Sequence, residues 1–104
     1  ICGATLGLAD AGALNGRRHT SNAPFFLPAM SKHYSGGRFY VDEPAVADGD
    51  LITAGSAGGL LWAKLILERL GLYSLETLEA WYRYFLTGDV RYYEALMGSF
   101  QTVK

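Results

Sequence analysis

The pair Asp48-Gly49 sits between two runs of β-formers, Ala45-Val46-Ala47 and Leu51-Ile52-Thr53-Ala54. That pattern predicts a tight hairpin, because glycine tolerates the positive φ such a turn requires. Directly after it, at Gly55-Ser56, the period of the pattern changes. Leu60, Leu61, Trp62, Leu65, Ile66, Leu67 and Leu70 load one broad face up to Gly71, with Lys64, Glu68 and Arg69 on the wet side. This spacing predicts a helix with Ser56 as its N-cap. Ser74 opens a second helix, with Leu75, Leu78, Tyr82 and Phe85 at helical intervals, and Asp89 caps a third that carries Tyr92, Tyr93, Leu96, Met97 and Phe100. Upstream, the small apolar run over residues 4–13 predicts a well-covered helix ending at Gly12 or at Asn15-Gly16. Residues 17–20 and 39–41 read as extended strands. Between them Pro24, Pro28 and Gly36-Gly37 leave room for a short helix around residues 29–33. Strands alternating with helices predict the α/β class, as one domain over residues 1–104.

Composition narrows the function classes. Nine basic and ten acidic residues leave a net charge of −1, which provides no long-range field to recruit nucleic acid or anionic lipid. The apolar stretch over residues 51–63 is interrupted by Thr53, Ser56 and glycines, so no membrane span is expected. A single cysteine excludes an internal disulfide and a cysteine-cluster zinc site, and with two histidines it gives no metal-ligand spacing. Gly55, Gly58 and Gly59 fit no phosphate-loop pattern, so neither metal nor cofactor is expected. With no signal-like segment at the start, a cytoplasmic setting is expected. The chain opens on Ile rather than Met, which suggests a numbering that begins inside a longer product.

Cys2 stands immediately before Gly3-Ala4-Thr5 and a predicted helix. A cysteine between a strand and a helix meets unpaired amides and the positive end of the helix dipole, which favour thiolate over thiol. The same junction has the form of a nucleophile elbow, a strained turn that needs small neighbours; Gly3 and Ala4 are small, and the Gly3 amide would be an oxyanion donor. The competing assignment is a buried structural thiol. His19, seventeen residues on, would lie at the end of the next strand, where a general base could reach the sulfur; it could equally belong to a solvated strand end after Arg17-Arg18. His33, beside Lys32, reads as surface. Asp42 and Glu43 are neighbours in an extended segment and point to opposite faces, so they form no acid–base pair. Trp81, Tyr82, Tyr84, Phe85, Tyr92 and Tyr93 lack interleaved basic residues and read as core or a subunit contact rather than a stacking platform.

The order of these pieces is more specific than any one of them. Ile1-Cys2-Gly3-Ala4-Thr5, then Leu14-Asn15-Gly16-Arg17-Arg18-His19-Thr20-Ser21-Asn22, then Tyr40-Val41-Asp42-Glu43-Pro44 and the hairpin resemble the second half of the PfpI-like family. This is a branch of the class I glutamine amidotransferase-like superfamily that includes the parkinsonism-associated deglycase. The resemblance implies a flavodoxin-like three-layer sandwich, here a C-terminal fragment with a short hairpin and extra C-terminal helices. It implies a homodimer with Cys2 as elbow nucleophile, Gly3 as oxyanion donor, and an acidic partner contributed by an N-terminal half that the chain lacks. The family's histidine falls nearer Ser21 than His19, and Gly58-Gly59 replaces a bulkier pair, which predicts a looser loop. The expected function is attack of the Cys2 thiolate on a small electrophilic substrate, of hydrolase, deglycase/glyoxalase or hydratase type. The alternative is a non-catalytic cysteine sensor of oxidative stress, and this chain alone is expected to be inactive.

Overall fold

A computed structural model of the chain describes residues 1–101. It contains α1 (Ala4–Asp10), α2 (Phe26–Met30), the strands β1 (Ala45–Asp48) and β2 (Leu51–Ala54), and the helices α3 (Gly59–Leu70), α4 (Leu75–Thr87) and α5 (Val90–Gln101). Single 3-10 turns occupy Gly37–Phe39 and Ser56–Gly58. The chain divides into two compact units, Ile1–Leu65 and the segment from Ile66 onward, with the division inside α3. The mixed helix-and-strand class is as expected.

In the first unit the hairpin forms where the turn pair sits, with Ala45 opposite Ala54 and Asp48 opposite Leu51. Gly49 takes a φ of 63°. The acidic turn residues also hold the chain upstream of them. Arg17 donates through Nη2 to the Asp48 carbonyl and to Asp50 Oδ1, and the Arg18 backbone N–H donates to Asp48 Oδ2. Ala9, Leu14 and Leu27 form the buried core, with Leu8, Phe26, Tyr34 and Leu51 packed against it. Helix α1 stops earlier than its apolar run, because Gly12 takes a φ of 79° and turns the chain.

Three local expectations give way. The strands expected over residues 17–20 and 39–41 reduce to one parallel bridge, His19 with Tyr40, since each segment finds a single partner residue rather than a ladder. The short helix begins at Phe26 rather than Ala29; Pro28 falls in its first turn, where a missing N–H costs nothing. Helix α3 begins at Gly59, so Ser56 lies in the preceding turn and does not cap it.

In that turn Gly58 answers a packing demand. Gly58 is buried, and a Cβ placed there would stand 2.0 Å from the Pro44 carbonyl oxygen. Close backbone approach, rather than flexibility, is what glycine supplies at this position. Gly58→Ala therefore destabilises the first unit by about 2 kcal/mol through overpacking, read as a lower denaturant midpoint at an unchanged m-value.

In the second unit Ser74 accepts the Thr77 backbone N–H as the α4 cap, Gly88 ends that helix at a φ of 72°, and Asp89 accepts the Arg91 backbone N–H at the start of α5. Leu78, Ala80 and Leu96 are buried. Beneath them Thr77 Oγ1 donates to Ser99 Oγ and Ser99 Oγ to the Leu96 carbonyl, both at 2.7 Å, so the buried hydroxyls between α4 and α5 are satisfied. The aromatic group is half-buried at Trp81, Tyr82, Tyr84 and Tyr92 and exposed at its outer members. Phe85 packs on Trp81 and Tyr84, and Tyr84 on Tyr93, yet Phe85 is 60% exposed and Tyr93 is 44% exposed.

Candidate active site

Cys2 has a φ of 55°, the one non-glycine residue with positive φ among those described. A left-handed side-chain-bearing residue costs roughly 1–2 kcal/mol and persists only where its surroundings hold it. The restraints are visible on both sides. The Cys2 N–H donates to the Ala54 carbonyl at the end of β2, 2.9 Å away. The Cys2 carbonyl accepts two bonds from Thr5, from its backbone N–H at 3.1 Å and from its hydroxyl at 2.6 Å. Thr5 is fully buried, and its oxygen lies 2.7 Å from Ser21 Oγ. Since the Thr5 proton goes to the carbonyl, Ser21 is the donor in that pair. The turn at Cys2 that leads into α1 is thus fixed by a buried hydroxyl chain and by its bond to the end of β2, and the side chain it projects is the thiol.

Cys2 is half-buried rather than sealed. Ser56 Oγ lies 2.9 Å from Sγ, and Asn22 Nδ2 approaches it at 3.8 Å. The Ser56 hydroxyl, then the Asn22 amide and the Gly3 backbone N–H, hold the Cys2 thiol below its ordinary range; partial desolvation opposes them and loses. Asn22 and Ser56 also line an open cleft of about 460 Å³ that is continued by Ser21, Glu43, Pro44 and Gly55. A thiol whose ionisation is favoured by two side-chain donors and a backbone donor, beside an open cleft, suits nucleophilic attack on a small carbon centre. Among the described residues no group of three His, Cys, Asp or Glu side chains could hold a metal ion, and no helix is long and apolar enough to cross a membrane.

His19 is engaged elsewhere. Its ring is fully buried, with Nδ1 2.7 Å from the Arg17 carbonyl and Nε2 2.8 Å from Tyr34 Oη. A carbonyl only accepts, so Nδ1 carries the proton and Nε2 accepts from the Tyr34 hydroxyl. Burial, and secondarily Tyr40, push the Tyr34 phenol up, which keeps it protonated as that donor. The Tyr34 and Tyr40 rings meet the imidazole edge-on at 5.6 and 5.8 Å. With both nitrogens occupied, the imidazole makes no bond to the sulfur. The residues that do, Asn22 and Ser56, carry no local signal: one lies in a Ser-Asn-Ala-Pro loop, the other beside a glycine in the position of a cap. His33 is exposed.

Comparison with known proteins places these features in context. The sequence profile of the DJ-1/PfpI family matches residues 1–69. The "Uncharacterized protease YoaZ" of Bacillus subtilis (strain 168) is 40% identical over 99 residues, covering 95% of this chain and 47% of that protein. The "Uncharacterized protease YdeA" of the same strain is 35% identical over 79 residues, covering 76% of this chain and 40% of that protein. Among solved structures, the thiJ/pfpI family protein from Bacillus anthracis aligns with a TM-score of 0.93 at 37% identity, over 95% of this chain and 47% of its own. The DJ-1 superfamily protein Atu0886 from Agrobacterium tumefaciens aligns at 0.72 and 37%, over 82% and 45%. The chain spans about half the length of the relatives it matches. Over that half, its helices and small sheet are those of a flavodoxin-like fold.

Proposed function

The chain belongs to the DJ-1/PfpI family, and on that premise we propose that Cys2 is the nucleophile of the whole protein, acting on a small electrophilic substrate. The observation that carries this is the bond from the Ser56 hydroxyl to Sγ at a strained, half-open elbow. The thiolate attacks a carbonyl or amide carbon, the new C–S bond takes the sulfur electron pair, and the carbonyl π pair moves to oxygen. That oxyanion is met by the Gly3 N–H. His19 holds both its nitrogens in other bonds, so the proton needed by the leaving group comes from a carboxylic acid, which the family resemblance assigns to the part of the protein that this chain does not cover. In this reading the whole protein works as a cytoplasmic homodimer.

The test is the rate of iodoacetamide alkylation of Cys2 against pH, with turnover of methylglyoxal and small amides measured beside it. A thiol whose titration is depressed is already ionised at lower pH, so the rate rises and levels off below the range of a free cysteine. A rise in the free-thiol range refutes the nucleophile. Early ionisation without turnover of any probe favours an oxidation sensor, for which a half-exposed thiolate is equally suited.

A further inference from the structure

We propose that Asn22 is a positioning residue for this nucleophile and that it acts chiefly through Ser56, its direct contact with the sulfur being the weaker part. The inference rests on Cys2 being the nucleophile proposed above. Ser56 Oγ lies 2.9 Å from Sγ and also 2.9 Å from Asn22 Oδ1. A hydroxyl has one proton and cannot serve both acceptors. A thiolate is the stronger acceptor, so the O–H turns to sulfur while Cys2 is charged. Once the sulfur is neutral, or bonded to a substrate carbon, the O–H turns to Oδ1. The proton stays on Ser56 throughout; only rotation about Cβ–Oγ is needed, and no donor is left orphaned at either stage.

The second station is held in place by backbone. The Ser56 N–H donates to the same Asn22 Oδ1 at 2.7 Å. Because a backbone N–H can only donate, this contact fixes which end of the carboxamide faces Ser56 and turns Nδ2 toward the sulfur. At 3.8 Å that amide is the weaker of the two side-chain donors to sulfur. The main work of Asn22 is therefore to tie the turn at Ser56–Gly58 to its own loop and to give the Ser56 proton a place to go.

The experiment is a double-mutant cycle on the whole protein, read as alkylation rate against pH. Ser56→Ala slows alkylation near neutral pH by roughly fivefold by moving its rise to higher pH, and Ser56→Thr restores most of the rate. Asn22→Ala slows it by roughly twofold to threefold with Ser56 present and by clearly less once Ser56 is alanine, where only the long amide contact to sulfur is left to lose. Effects that multiply, or an Asn22→Ala protein that folds and alkylates like the parent, overturn the proposal. Should Asn22→Ala fail to fold, the isosteric Asn22→Asp replaces it. Its carboxylate captures the hydroxyl, so it slows alkylation more with Ser56 than without, and equal slowing in both backgrounds overturns the coupling. Turnover of the carbonyl probes by the parent protein is scored separately. Its absence defeats the nucleophile, whereas the cycle judges only Asn22.

Discussion

Cys2→Ala lowers kcat/KM of the whole protein by at least about a thousandfold on any carbonyl or amide probe it turns over, and eliminates the early-ionising alkylation. The expectation follows from how the site is built: the Ser56 and Asn22 side chains that line the cleft are directed at the sulfur. The loss in activity is not a loss of folding. The thiol makes no core contact, and the restraints on the elbow run through backbone atoms, from Cys2 N–H to Ala54 and from Thr5 to the Cys2 carbonyl. Cys2→Gly sharpens the contrast. Glycine occupies a φ of 55° without the steric penalty, so this variant is more stable by about 1 kcal/mol and equally inactive. Thermal unfolding and turnover measured on the same three proteins separate the two effects. A Cys2→Gly protein less stable than the parent removes strain as a feature of the elbow, and residual turnover in Cys2→Ala removes the nucleophile.

The elbow was legible as far as its makings are local; the Ala54 carbonyl and the Ser21 hydroxyl that hold it lie far along the chain. A cysteine followed by two small residues and an apolar helical run suits such a turn, because those residues are neighbours in the chain. The hairpin was legible for the same reason, its turn pair lying between its own two strands. The residues around the sulfur were not. Ser56 meets Cys2 across 54 positions and Asn22 meets it across 20. Nothing in a serine after glycine distinguishes a thiolate donor from a helix cap, since both use one hydroxyl beside a turn. The two short strands failed differently: β-formers were present at residues 39–41, but a strand exists only where a partner continues the ladder, and within the described residues pairing stops at His19 with Tyr40. At Gly58 a missing side chain reads as freedom in a sequence, while in the structure it admits the Pro44 carbonyl.

His19 is the residue for which sequence and structure assign different work, and its substitution separates them by a large effect. His19→Ala destabilises the protein by roughly 4 kcal/mol, because it empties a fully buried site and leaves the Arg17 carbonyl and the Tyr34 hydroxyl without their partner. In a chain of this family's ordinary length that corresponds to a fall in Tm of roughly 10 °C. A general base would behave otherwise: its loss would cost turnover far more than stability, and would flatten one limb of the pH profile. The measurement is therefore made well below the lowered Tm, with alkylation of Cys2 as the control. The folded His19→Ala protein keeps the parent's alkylation profile, since its Ser56 and Asn22 contacts to sulfur do not involve the imidazole. The conservative His19→Gln change recovers part of the stability by offering one donor and one acceptor at nearly the same reach. If instead turnover collapses while Tm holds, the imidazole leaves Tyr34 during the reaction and serves the sulfur after all.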